Sequence, residues 1–193
     1  MAKIVIDPGH GGRDPGASLK GVALTEAEVA LAVARAVRDR LEAKGHEVIL
    51  TREELGPDEY LAPAARPALA RDQGAEVLVS LHLNADPDED QPGMPEAKGE
   101  EVWYHPTSPE GQRLAKCLQP LVDQTFPDEP FRGLKASDKL AVLRGCQRSG
   151  IPSCLIEMGF IDNSATNRQL GDPEVQQRLG ELISEGILKY LEG

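Results

Sequence analysis

Three side chains of this sequence have the chemistry to hold a metal cation, and a fourth could move a proton beside it. His10 stands in Asp7-Pro8-Gly9-His10-Gly11-Gly12 and Glu26 in Leu24-Thr25-Glu26, while His82 lies in Val79-Ser80-Leu81-His82-Leu83-Asn84 and Glu157 in Leu155-Ile156-Glu157-Met158-Gly159-Phe160. Two imidazoles and a carboxylate form a three-ligand set for zinc that leaves a fourth position for water. A further carboxylate nearby can act as general base. Taken singly, none of these residues demands such a role. A histidine in a glycine-rich turn can cap a helix or bond a carbonyl, and a glutamate in a first helical turn complements the helix dipole. His82 could be a hydrogen-bonded core histidine, whereas a carboxylate at the end of an apolar strand, as at Glu157, requires a partner.

These residues can meet only if the elements between them place them at one edge. Lys3 to Asp7 reads as a first strand, apolar at its centre. Thr25 and Glu28 have the spacing of a capping box, which starts a helix whose apolar stripe is Val29, Val33, Val37 and Leu41 and whose end is Gly45. Further strands are expected at His46–Thr51, Glu76–Leu83, Glu101–His105, Leu140–Leu143 and Ser153–Met158, and further helices near 64–73, at Pro109–Val122 and at Val175–Leu191. The segment Asp86 to Gly99, rich in proline and acidic residues, reads as a solvated loop. Strands alternating with helices predict an α/β fold: a three-layer αβα sandwich around a mostly parallel, twisted sheet of about six strands. Ligands of such sheets gather outside the carboxyl ends of the strands. His10, His82 and Glu157 follow or end strands, and Glu26 begins a helix on the same side.

Composition narrows the function. The 193 residues, 40% hydrophobic and only 4% aromatic, suffice for one domain with a core of Val, Leu, Ile and Ala, expected to span residues 1–193. A net charge of −11 without a basic run excludes nucleic acid as the expected partner. No apolar stretch is long enough to cross a bilayer. Cys117, Cys146 and Cys154 form no C-x-x-C pair and read as reduced, buried residues, Cys154 by packing more than by reactivity. Neither a phosphate-binding glycine motif nor a G-x-S-x-G nucleophile elbow is present.

Together, Asp7-Pro8-Gly9-His10-Gly11-Gly12 with Asp14 and Gly16, Leu24-Thr25-Glu26, Thr51-Arg52, Ser80-Leu81-His82-Leu83-Asn84 and Leu155 to Asn163 resemble the zinc-dependent N-acetylmuramoyl-L-alanine amidases of the amidase-3 family. The resemblance runs from residue 4 to about 190. It implies one Zn2+ held by His10, Glu26 and His82, with Glu157 as the catalytic carboxylate, and Arg132, in Arg132-Gly133-Leu134-Lys135, and Asn84 near the substrate. The bond cleaved would be the amide between the lactyl group of N-acetylmuramic acid and L-alanine in peptidoglycan.

The chain passes from Tyr104-His105-Pro106-Thr107 into Glu110-Gly111-Gln112 without the inserted helix that plugs some members, so an open site is expected. Met1-Ala2-Lys3 leads into a strand with no secretory signal. The expectation is a monomer kept in the cytoplasm until its release to the wall, like a phage endolysin or a mother-cell lytic amidase, or else a catalytic domain trimmed from an exported protein. Two other readings use the same residues: a zinc peptidase acting on a different wall bond, and a metal-free wall-binding module.

Overall fold

A computed structural model describes residues 1–86 and 97–193. Most of the acidic segment expected to be a solvated loop, residues 87–96, therefore lies outside the described residues. The elements, in chain order, are β1 (Lys3–Pro8), α1 (Glu26–Glu42), β2 (Glu47–Leu50), α2 (Arg66–Asp72), β3 (Val77–Asn84), β4 (Glu101–Tyr104), α3 (Pro109–Val122), β5 (Leu134–Ala136), α4 (Ala141–Arg148), β6 (Ser153–Phe160), α5 (Ser164–Leu170) and α6 (Pro173–Glu192), with one 3-10 turn at Pro57–Glu59.

The six strands form one sheet in the order β2-β1-β3-β6-β4-β5. β2, β1, β3 and β6 run parallel, whereas β4 runs antiparallel to β6 and carries β5 parallel to itself. The expected three-layer, mostly parallel α/β sandwich is thus present, with its one inversion at β6–β4.

Alternation along the strands sorts the residues to two faces. Ile4, Ile6, Val79, Leu81, Cys154, Ile156, Met158 and Val102 face α1, α3 and α6 in the larger core. Val5, Leu78 and Leu155 face the other way and pack with Ala70 of α2 and Val142, Leu143 and Cys146 of α4. Because α2 and α4 are only 7 and 8 residues long, they cover part of that second face and leave the rest to the polar residues described below.

Several elements follow their sequence signals closely. The Thr25 side chain accepts from Glu28 N–H and Glu28 reaches back to Thr25 N–H, so the capping box is formed. Val29, Val33, Val37 and Leu41 are fully buried. Gly45 ends the helix, with His46 N–H bonding the Leu41 carbonyl. All three cysteines are free thiols; burial pushes Cys146 up to about 12 and also raises Cys154, so both are packing residues.

Leu140–Leu143 is not a strand. Leu140 is the N-cap of α4, whose buried Val142, Leu143 and Cys146 have helical spacing while Arg144 and Arg148 stay outside. A four-residue apolar window cannot distinguish the two, and the signal lies in Cys146, beyond that window. The sixth strand is instead Leu134–Ala136, only three residues long. α5 is also additional; the Asn163 side chain caps it by accepting from Ala165 and Thr166 N–H.

Among the described residues, one carboxyl group has both of its oxygens buried without a partner. Glu100, immediately before β4, is fully buried, and neither of its carboxylate oxygens is hydrogen-bonded. Burial, reinforced by the charges of Glu129 and Asp123, raises its pKa from the ordinary 4.5 to about 8. The folded chain therefore holds a proton that the unfolded chain releases, and stability falls as pH rises between these two values, by about 1.4 kcal/mol per pH unit. Glu100→Met is expected to stabilise the protein by about 3 kcal/mol at pH 7 and very little at pH 4.5. Urea unfolding at the two pH values checks this; an equal gain at both would assign the effect to packing rather than ionisation.

Candidate active site

His10 follows β1 and is the one non-glycine among the described residues with positive φ, at 58°. Glu26 opens α1, and His82 lies near the end of β3. The structure brings all three together: His10 Nε2 is 3.1 Å and His82 Nδ1 is 2.9 Å from Glu26 Oε1. One ligand atom from each lies within 4.8 Å of the others, so the trio could hold a metal ion. Glu26 is fixed for that position, because Oε1 accepts from Leu83 N–H and Oε2 from Ala17 N–H.

The donor set suits zinc. Ligand atoms about 2.1 Å from a tetrahedral ion lie about 3.4 Å from one another, close to the separations of Glu26 Oε1 from the two imidazole nitrogens. His10 Nδ1 is 2.9 Å from Asp14 Oδ2. A carboxylate can only accept there, so Nδ1 donates to Asp14, and Nε2, which faces Glu26 Oε1, is the nitrogen that would ligate an ion in place of its proton. Burial acts to lower the His10 pKa, but the Glu26 and Asp14 carboxylates outweigh it and raise it to about 9. The same ion pairs overcome burial at Glu26 and hold its carboxyl well below its usual range. Two carboxylates thus call for positive charge at this point, from a proton or a metal.

The glycines around His10 serve close packing. A Cβ on Gly9 would lie 2.4–2.7 Å from three atoms of the His82 ring, and one on Gly16 would lie 2.6 Å from Glu26 Oε2 and 2.8 Å from His10 Cδ2. Their missing side chains are what let the ligand trio converge.

The loop that bears His10 is gripped by two buried arginines. Arg66 of α2 donates to Asp7 Oδ1 at 2.7 Å, to the Pro8 carbonyl at 2.8 Å and to the His10 carbonyl at 2.8 Å. Arg52 donates to the carbonyls of Pro8, Gly9 and Ala27. Asp7, fully buried, also accepts from Ser80 and Thr51 hydroxyls. Burial would raise its pKa, but the Arg66 charge and these hydrogen bonds prevail and keep it below the usual carboxylate range. Sequence reading quoted Asp7 and Arg52 only as parts of motifs and missed Arg66, which looks like any helix arginine.

Glu157 is the next residue across the sheet, directly opposite His82 on β3. Its Oε2 is buried without a hydrogen-bond partner, and burial pushes its pKa up to about 7. On its other side it is opposite Glu101 of β4. Glu101 Oε1 accepts from Arg132 Nε and Lys135 Nζ, both at 2.6 Å, and Oε2 accepts from Trp103 Nε1 at 3.0 Å. Arg132 is therefore near the candidate site, tied to a carboxylate that sequence reading did not single out. Asn84 lies beyond a register shift after His82, and its side-chain oxygen accepts Ala85 N–H.

Four residues, 105–108, separate β4 from α3, and the side chains of His10 and His82 remain 26% and 21% exposed, so the site is open to solvent. Beside them is a recess of about 200 Å³ walled by Pro63, Leu140, Ala141, Val142 and Leu155. Among the described residues, no helix is long and apolar enough to cross a membrane.

Residues 4–189 match the family model described as N-acetylmuramoyl-L-alanine amidase. The chain is 34% identical to the germination-specific N-acetylmuramoyl-L-alanine amidase of Bacillus subtilis, over 97% of this chain and 78% of that protein. Among solved structures, the N-acetylmuramoyl-L-alanine amidase AmiC2 of Nostoc punctiforme superposes with a TM-score of 0.85 at 32% identity, covering 100% of this chain and 98% of that one. The catalytic domain of CwlV, an N-acetylmuramoyl-L-alanine amidase from Paenibacillus polymyxa, gives a TM-score of 0.86 at 27% identity, with coverage of 100% and 99%. With this fold, and with two histidines and a glutamate converged at the carboxyl edge of its sheet, the chain belongs to the N-acetylmuramoyl-L-alanine amidase family.

Proposed function

We propose that the protein is a zinc-dependent enzyme that hydrolyses the amide between N-acetylmuramic acid and L-alanine in peptidoglycan, with one Zn2+ held by His10, Glu26 and His82. The observation that carries this reading is the Glu157 carboxylate, one of whose oxygens is buried without a hydrogen-bond partner, beside a three-ligand cluster. When bound, zinc supplies Lewis acidity toward a water and toward the scissile carbonyl.

Glu157 is the general base. Its raised pKa suits proton transfer near neutrality, and it lies one strand spacing from His82, about 4.8 Å. It takes a proton as the water oxygen adds to the carbonyl carbon. It then delivers that proton to the alanine nitrogen as the C–N bond breaks, leaving a lactyl carboxylate and a free amine. Asp14 keeps the His10 ring in the tautomer that leaves Nε2 available. Glu101, with Arg132 and Lys135, extends the site on the far side of Glu157. Asn84 remains a candidate substrate contact through its position just after His82 on β3.

The expected result with purified protein is clearing of a peptidoglycan suspension that chelation abolishes and added zinc restores, with one zinc per chain by elemental analysis. The second proton of the water stays with the lactyl carboxyl group and passes to the amine or solvent when that acid ionises, so mass spectrometry of the released peptides should show free L-alanine amino termini. Clearing unaffected by chelation would overturn the metal assignment, and cleavage at another peptide bond would overturn the bond assignment.

A further inference from the structure

In a molecule of net charge −11, two cations meet beside the candidate catalytic carboxylate. Arg132 and Lys135 both contact the same oxygen of Glu101. Glu101 is 2% exposed, whereas the Arg132 and Lys135 side chains are 38% and 32% exposed, so the pair is anchored from below and open above. Both cations share this one carboxylate, and among the described residues neither forms an ion pair with another. Aromatic rings fix both heads: the Arg132 guanidinium lies 4.9 Å from the Phe160 ring centroid, and Lys135 Nζ lies 5.2 Å from that of Trp103. Holding both cations in place reduces the entropy lost when they bind an anion.

Position along the sheet says which part of a substrate reaches them. His82, Glu157 and Glu101 are opposite one another on β3, β6 and β4, so they form a row at spacings of about 4.8 Å. If Glu157 returns its proton to the leaving nitrogen, the peptide side of the scissile amide begins over Glu157, and a peptide that leads away from the ligand trio along this row passes over Glu101. An extended peptide advances about 3.4 Å per residue, so its second residue comes level with Glu101 and its two cations. In the stem peptide that residue is a glutamate joined through its γ-carboxyl, leaving an α-carboxyl that some walls leave ionised and others convert to an amide.

We propose that Arg132 and Lys135, held on Glu101, form a subsite for that α-carboxylate, so that the enzyme distinguishes ionised from amidated stem peptides. This rests on the amidase reading above. The cations act on binding, and the discrimination belongs in KM more than in kcat.

The test uses two synthetic substrates in which the γ-carboxyl is blocked by a following residue, N-acetylmuramoyl-L-alanyl-γ-D-glutamyl-L-lysinamide and its γ-D-isoglutaminyl counterpart, which differ only in α-carboxylate against α-carboxamide. The wild type is expected to prefer the carboxylate by about tenfold in kcat/KM, the preference shrinking as salt rises because the subsite is half-exposed. Lys135→Met should bring the ratio of the two kcat/KM values close to one, and Lys135→Arg should restore it. Thermal melts of the variants establish that both are folded, and a Lys135→Met protein that fails to fold is replaced by Lys135→Gln. Equal cleavage of both substrates by the wild type overturns the subsite while leaving the amidase reading intact, as does a preference that survives in Lys135→Met. Failure to cleave either substrate overturns both.

Discussion

Glu157→Gln is expected to lower kcat by about 10²–10⁴-fold while leaving the zinc content and the fold unchanged. Gln has nearly the same shape but cannot accept and return a proton. None of the hydrogen bonds that orient the ligand trio involves Glu157, so the substitution leaves the trio in place. It also removes a carboxyl group whose Oε2 is buried without a partner, so the melting temperature above pH 7 should hold or rise. Elemental analysis, a melt and a turnover assay on one preparation check all three points. A near wild-type kcat in Glu157→Gln would move the base to another residue, and a loss of zinc would recast Glu157 as a ligand.

Arg66→Met has the largest expected effect on stability, a loss of about 3–5 kcal/mol, because it leaves the Asp7 carboxylate buried without its cation. For a domain of this size that corresponds to a drop of on the order of 10 °C in melting temperature. The sign of the pH dependence follows from Asp7. In the wild type its pKa is held below the usual range, so its contribution persists at neutral pH and is lost only in acid, as pH falls through that lowered value. Without Arg66 the carboxyl prefers its neutral form, so the deficit of the variant should narrow as pH falls from 7 toward 4. The double variant Asp7→Asn/Arg66→Met should recover a large part of the loss. A deficit that is the same at all pH values and unrelieved in the double variant would assign the effect to lost packing by the arginine stem.

The residues with the rarest chemistry were legible in the sequence. His10 follows a strand, Glu26 begins a helix and His82 lies near a strand end, positions that the α/β pattern alone brings to one edge, while Glu157 lies inside β6, which runs on to Phe160 beyond the expected end at Met158. Residues that depend on strand direction were not legible. Glu101 begins its strand, and in a parallel sheet that would put it at the opposite edge; because β4 runs antiparallel to β6, it lies beside Glu157. Nothing in Glu101-Val102-Trp103-Tyr104 records direction. Arg66 escaped for a different reason: its partners are the Asp7 carboxylate and main-chain carbonyls of residues 8, 10 and 61, and carbonyls leave no trace in side-chain spacing. The glycines near His10 were visible, but their purpose was not, since the atoms that need the space belong to His82 and Glu26.

The grip of Arg52 and Arg66 on the loop after β1 also ties the candidate ligand to remote parts of the chain. Asp7 pairs with residues 44, 59 and 73 positions away, and His10 is held through Arg66 from 56 positions away. Contacts this distant in sequence require that loop closure has brought the strands together. The candidate ligand His10, in its left-handed backbone geometry, is therefore held by contacts that exist only where β1, β2, β3 and α2 are docked. A folded scaffold is thus the precondition for a complete ligand trio, and an ion bound there would stabilise the folded chain over the unfolded one.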